Sequence, residues 1–159
     1  RTSASRPSTR GLEAREVVQM YYASFTALDH ESLEACLAKR APKADVTAVM
    51  NFFVISKMRQ GYERIIYEND PQPFIDQGLI PRGFIFGTVD VSIEELSLEN
   101  ESARYQVDYS LWFPGDPETP LPGLEPVGDQ ARSEKRRDIL DLRFEKDRWL
   151  IHDIDRTLK

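Results

Sequence analysis

The apolar positions of this chain change period twice, and the changes divide it into elements. From about Leu12 to Leu28, the residues Val18, Tyr21, Tyr22, Phe25 and Leu28 recur at steps of three and four, which predicts an amphipathic helix. Asp29 interrupts it and can cap a short second helix, "HESLEACLAKRA", with Leu33, Cys36 and Leu37 on one face. A third helix is expected from near Asp45 through "VTAVMNFFVISKMRQ" to Gly61. Its middle is apolar nearly all round, so the pattern casts it as the spine of the core. The following "ENDPQPFIDQGLIPRG" has room only for turns or one short helical piece.

Beyond it the period falls to two. Val89, Val91 and Ile93 alternate at odd positions and Leu96 and Leu98 at even ones, so one extra residue, a β-bulge, is expected near Glu94 or Glu95. "LENESA" turns the chain into "ARYQVDYSLWF", where Ala103, Tyr105, Val107, Tyr109, Leu111 and Phe113 share a face. Pro114 to Ser133 is proline-rich and without period, the composition of a binding loop or lid. Two more strands close the chain, "RRDILDLRFE" and "RWLIHDIDRTL". There is no internal repeat.

Composition narrows the choices. One domain fits 159 residues, and a formal charge of -6, with the short basic run Lys135-Arg136-Arg137 flanked by Glu134 and Asp138, argues against nucleic acid. Cys36 is the sole cysteine and there are two histidines, which leaves neither a disulfide nor a Cys/His zinc site. The longest apolar run, Val46 to Ile55, is too short and too interrupted to span a bilayer. The polar start "RTSASRPSTR" reads as a flexible tether over residues 1–11, ahead of a single domain over 12–159. Because the first residue is Arg1, a secretion signal or membrane anchor can have preceded it, and an extracytoplasmic location is compatible with the sequence.

Helices first and long antiparallel strands after them describe an α+β domain in which a curved, bulged sheet wraps round a helix. The amino-terminal helix with its "YY" pair, the "LDHESLEACLA" corner, the bulged hairpin and the closing "FEKDRWLIHDID" hairpin resemble the nuclear transport factor 2-like superfamily, a cystatin-like α+β cone. The resemblance spans roughly Leu12 to Arg156 and points to bacterial members of no particular family. It implies a cavity between sheet and helices, in a superfamily that includes isomerases, dehydratases, polyketide cyclases, transport factors and non-enzymatic secretion-system domains.

A two-residue turn at Lys146 and Asp147 would set Phe144 against Trp149, Leu142 against Ile151 and Leu140 against Asp153 on the helix-covered face, with Asp155 opposite Asp138. Asp153 then becomes the candidate acid/base in the pocket, with Tyr21 or His152 beside it as further catalytic candidates. Tyr22, Tyr105, Tyr109, Trp149 and Asp155 are the candidate ligand-binding residues, although tyrosines at such spacing are more often plain core and aspartates at a strand end more often a wet sheet edge. In this register His152 pairs across the other face with Asp141, and a three-residue turn would bring it into the pocket instead. A cluster of Asp138, Asp153 and Asp155 offers ligands for a hard cation but lacks the ordered loop such a site needs, so no metal and no cofactor are expected. No glycine elbow surrounds a serine, and Cys36 lies on the buried stripe of its helix, which speaks against a nucleophile.

On the outer face Trp112, Ile139, Leu150 and Ile154 are expected to form an apolar patch, and hence a homodimer through the sheet. The leading expectation is a non-enzymatic domain that binds a small apolar ligand or a protein partner. A cofactor-independent lyase or isomerase using Asp153, and a tethered extracytoplasmic assembly domain, are the alternatives.

Overall fold

The computed structural model describes residues 6–64, 68–114 and 130–159. Four helices come first: α1 (Ala14–Thr26), α2 (His30–Ala35), α3 (Ala44–Glu63) and the short α4 (Gln72–Asp76). Four strands follow, β1 (Gly87–Leu98), β2 (Ser102–Phe113), β3 (Arg132–Glu145) and β4 (Arg148–Leu158), as an antiparallel meander in the order β1-β2-β3-β4.

Local chemistry sets the helix boundaries. Glu13 and Glu16 form a reciprocal capping box at the start of α1. The Asp29 carboxylate accepts the Ser32 amide and so caps α2, as the sequence suggests. Between α2 and α3 the Lys43 ammonium donates to the carbonyls of Ala38, Lys39 and Ala41, which ties the corner without any side-chain cap. At the other end of α1, Gly87 lies so close that an added Cβ would sit 2.7 Å from Thr26 Oγ1, the atom that accepts the Thr88 amide. Asn69 bridges the same junction by donating to the carbonyls of Thr26 and Phe86.

The spine of the core is α1. It buries Ala14, Val17, Val18, Tyr21, Tyr22, Ser24 and Phe25 against the sheet, whereas α3 buries only Asp45, Val46 and Val49, all near its start. The expectation that α3 is the spine is therefore corrected. Apolar residues all round a helix measure its hydrophobicity, and the sheet here is wide enough to hold one helix along its concave face.

The inner face of β2 is as expected: Ala103, Tyr105, Val107, Tyr109 and Leu111 are buried. The irregularity of β1 falls between Glu95 and Ser97, so Leu96 is the extra residue, and a second irregularity, absent from the sequence reading, falls between Val89 and Ser92 where Asp90 takes φ +53°. Lys146 (φ +51°) and Asp147 (φ +66°) make the expected two-residue turn, both left-handed as a type I′ turn demands, and Phe144 faces Trp149 and Leu142 faces Ile151.

Beyond that pair the expected register fails. Asp141 pairs with Asp153 while Leu142 pairs with Ile151, so His152 is an extra residue and β4 changes face there. Leu140 consequently meets Ile154 rather than Asp153, and Asp138 meets Arg156 rather than Asp155.

This slip also takes Ile154 out of the expected outer patch and packs it against the core, as Leu150 is in part, while Trp112 and Ile139 stay half-buried. The outer face also carries ion pairs: Arg104 with Asp141 at 2.8 Å, and Arg137 with Asp108 at 2.7 Å.

Two residues of the expected tether contact the domain. Thr9 is buried and its hydroxyl donates to the Trp149 carbonyl at 2.8 Å, while Arg10 bridges Arg148 along the edge of β4. Residues 36–38 cover the next stretch of that edge through Ala38 N–H to Ile151 O and Ile151 N–H to Cys36 O. The expected loop from Pro114 to Ser133 also ends earlier, with β3 starting at Arg132; residues 115–129 lie outside the described residues. Among the described residues no helix is long and apolar enough to cross a membrane.

Candidate functional site

Along the concave face the sheet is apolar at one end, where Ala103, Leu142 and Ile151 align, and polar at the other, where Val107, Asp138 and Arg156 align beside Tyr109 and Arg136. The polar end holds one connected network. Arg156, placed inward by the His152 bulge, lies between two carboxylates. Its Nε and Nη2 donate to Asp138 Oδ1 and Oδ2 at 2.8 and 2.9 Å, and its Nη1 and Nη2 to Asp45 Oδ1 and Oδ2 at 2.8 Å each. Such double forks suit the planar guanidinium and orient both carboxylates.

Three phenols close the network from above and beside. Tyr21 donates to Asp45 Oδ2 at 2.7 Å, and Tyr22 and Tyr109 both donate to Asp138 Oδ2, at 2.6 and 2.8 Å. The adjacent pair Tyr21-Tyr22 reaches different acids because consecutive helical residues point about 100° apart. Five elements meet here: α1 gives the tyrosine pair, α3 gives Asp45 in its first turn where the helix dipole favours an anion, and β2, β3 and β4 give Tyr109, Asp138 and Arg156.

Burial and charge fix the protonation states. Tyr21, Tyr22 and Tyr109 are each driven up, first by burial and then by the aspartate each one contacts, so the hydroxyls stay neutral donors. Burial pushes Asp45 upward, but the Arg156 bonds and charge outweigh it and hold the carboxyl below the usual range. Arg136, opposite Tyr109 on β3, donates to Glu134 and adds positive charge to the same end. A cleft of about 70 Å³, lined by Pro42, Ala44, Asp45, Ile154 and Arg156, opens beside the network. At ~30 Å³ per water it has room for solvent and falls well below the 300–1,000 Å³ typical of ligand pockets.

The structure gathers Tyr21, Tyr22 and Tyr109 at this centre and leaves the other candidates out of it. Asp153 is exposed, away from the pocket, because the bulge at His152 reverses the strand's facing, and Asp155 is exposed for the same reason. The considered cation cluster of Asp138, Asp153 and Asp155 is therefore not formed. His152 contacts Glu145 at 3.0 Å rather than Asp141, which instead binds Arg104. Tyr105 is buried farther along β2 and donates to Glu95 at 3.2 Å. Trp149 closes the apolar end, edge-on to Phe144. Cys36 is buried, which pushes its thiol up to about 12 and leaves it unsuited to nucleophilic attack.

Sequence reasoning missed Asp45, Arg136 and Arg156. A signal for Arg156 was present: Trp149 and Ile151 sit at odd positions and Ile154 at an even one, the same change of parity that reveals the bulge in β1. Nothing local marks Asp45, since an acid at a helix start is fully accounted for by the helix dipole.

No family model matches the chain, and no curated protein matches it by sequence. Solved structures do match. One, from Novosphingobium aromaticivorans and provisionally described as an aromatic ring hydroxylase, superposes with a TM-score of 0.52 at 8% identity over 91% of this chain and 90% of its own. Another, from Xanthomonas campestris and provisionally described as a calcium/calmodulin dependent protein kinase II association domain, gives 0.50 at 11% identity over 99% and 98%. At these identities the likeness is one of fold, and the fold is the nuclear transport factor 2-like α+β cone.

Proposed function

We propose that this chain is a non-catalytic interaction domain, in which the polar end of the cone serves as an internal brace. One observation carries the reading: the groups that could perform acid–base chemistry are consumed by one another. Asp138 is fully buried and accepts four hydrogen bonds, from Tyr22, Tyr109 and two nitrogens of Arg156. A general base needs a free lone pair within reach of a substrate proton, and a phenol that stabilises an enolate must point its hydrogen at the substrate. Here the phenols point at carboxylates. The cone with an association role in the Xanthomonas protein's description is a precedent for this use of the fold.

The reading is tested by surveying the wild-type chain and its Asp138→Asn and Tyr109→Phe variants against enolisable ketones and aromatic acids, with urea titrations in parallel. The expected result is no turnover by any of the three. Tyr109→Phe should lose about 1–3 kcal/mol of stability, since it withdraws one donor from a buried carboxylate. Turnover by wild type that disappears in a folded Asp138→Asn chain would overturn the proposal.

A further inference from the structure

The second half of α3 presents an apolar ridge to the outside. Met50, Val54, Met58 and Tyr62 follow one another at steps of four, and they are 40%, 46%, 68% and 93% exposed, with Ile55 beside them at 43%. From Met50 to Glu63 no residue of α3 is buried. Its other side is held only by half-buried residues, Phe52 stacking on Phe86 and Phe53 meeting His30. A helix takes most of its stability from packing an apolar face, and this one leaves an apolar face bare.

We infer that the ridge is the contact surface for a second copy of this chain, paired through a twofold axis that sets α3 against α3. The inference rests on the interaction-domain reading and names the partner. Three observations select a second copy.

The first is size. The five side chains together offer on the order of 400 Å² of apolar surface. A standard interface buries about 800 Å² per partner with somewhat over half of it apolar, so the ridge fits the apolar share of one such contact.

The second is geometry. A row at steps of four is the ridge that interdigitates with its own kind in the commonest helix packing, crossing at about −50°. A twofold axis midway along the row sets Met50 against the partner's Tyr62 and Val54 against the partner's Met58. Gly61 stands next to the row with nothing within 4 Å of where a Cβ would be, which leaves room for a neighbouring side chain.

The third is charge. At -6 the chain is repelled by anionic lipid, and α3 carries few cations on its flanks, Lys57 and Arg59, with Glu63 paired to Arg59 at 3.7 Å. A lipid-surface helix would need a strongly basic polar face. The outer sheet carries ion pairs between Arg104 and Asp141 and between Arg137 and Asp108, and its exposed apolar residues Val91, Leu96 and Leu98 lie along β1, each less exposed than Met58 or Tyr62.

Sedimentation of the wild-type chain and of Met58→Glu tests the inference. The wild type should be a dimer at tens of micromolar. In Met58→Glu the charge enters twice across the axis, so the dissociation constant should rise about 100-fold or more with circular dichroism unchanged. Register is checked by mixing Val54→Cys and Met58→Cys chains with separate tags, which should cross-link to each other faster than either does to itself. A wild type that stays monomeric at high micromolar concentration overturns the inference, as does a dimer that survives both Met58→Glu and Val54→Glu. Binding of the wild type to phosphatidylserine vesicles that Met58→Glu abolishes overturns it in favour of a lipid surface. A monomer without turnover defeats only this choice of partner, whereas turnover in the survey of substrates defeats the interaction reading itself.

Discussion

α1 buries seven of its thirteen residues, and α3 three of its twenty, although both are rich in large apolar side chains. Position, and not hydrophobicity, separates them. α1 lies along the concave face of the sheet, where Tyr21 and Tyr22 can bury their rings and still find carboxylates for their hydroxyls. α3 reaches that face only with its first turns, where Asp45 binds Arg156 and Val46 and Val49 are buried, and beyond them Phe52 on Phe86 and Phe53 on His30 hold it. The long third helix is thus anchored at one end by charge and two buried valines and left along its length with an apolar surface to spare. Apolar content tells how much surface a helix would gain by burying; it does not say whether the burying partner is in the same chain.

The sharpest way to break this comparison is truncation on each helix. Phe25→Ala on α1 should cost about 3–5 kcal/mol in a urea titration, as a fully packed core truncation. Met58→Ala on α3, measured on the monomer at low concentration, should stay within about 0.5 kcal/mol. Comparable losses from the two would mean that α3 is part of the core after all.

A smaller effect is expected from the anchor. Arg156→Leu leaves Asp45 and Asp138 facing each other without their shared cation and should cost about 3 kcal/mol at neutral pH. The sign with pH follows from Asp45, whose value is lowered in the folded chain. Its contribution is complete above the unfolded value near 3.9 and is lost as pH falls through the folded one. The gap between wild type and variant should therefore narrow below about pH 4. A gap that is flat from pH 7 to pH 3 would show that the ion pairs hold nothing.

A smaller effect again is expected of Gly61→Ala, which, measured on the monomer at low concentration, should raise stability by about 0.5–1 kcal/mol, read as a shift in urea midpoint, because an added Cβ meets nothing within the protomer and the poorly held end of α3 depends on intrinsic helix propensity. No gain, or a loss, would indicate that this end is already fixed by contacts within the protomer.

Much of the fold is legible in the sequence where side-chain period alone decides. The burial of Ala103, Tyr105, Val107, Tyr109 and Leu111 follows from alternation, and the turn at Lys146-Asp147 follows from pairing Phe144 with Trp149. The centre is less legible, because its members come from five elements and are joined only by tertiary contacts. Tyr21, Tyr22 and Tyr109 could be picked out as phenols on inward faces, yet their partners could not, since Asp45 lies 24 residues from Tyr21 and Asp138 lies 116 residues from Tyr22. Asp153 and Asp155 were misplaced by a single step of register. Two strands contain the same clue, a change in the parity of apolar positions. It reads plainly in β1, where several residues lie on each side of the change, and weakly in β4, where Ile154 is the main apolar residue after it.

The extra residue at His152 gives β4 an odd–even clock, and the bulge that takes it up is what sets it. Were the strand to pair without the bulge at its present length, Asp153 and Asp155 would face Leu140 and Asp138, and Arg156 would turn outward. Two acids would then replace one base at the polar end of the cone. Deleting His152 would do no such thing, since it leaves Ile154 against Leu140 and Arg156 against Asp138 and only makes the strand regular. A point substitution removes a group, but losing the bulge would exchange the whole chemical character of the interior. For that reason, in any relative of this chain, whether the last strand bulges between its tryptophan and its arginine is a better guide to what its cone contains than the identity of the residues in between.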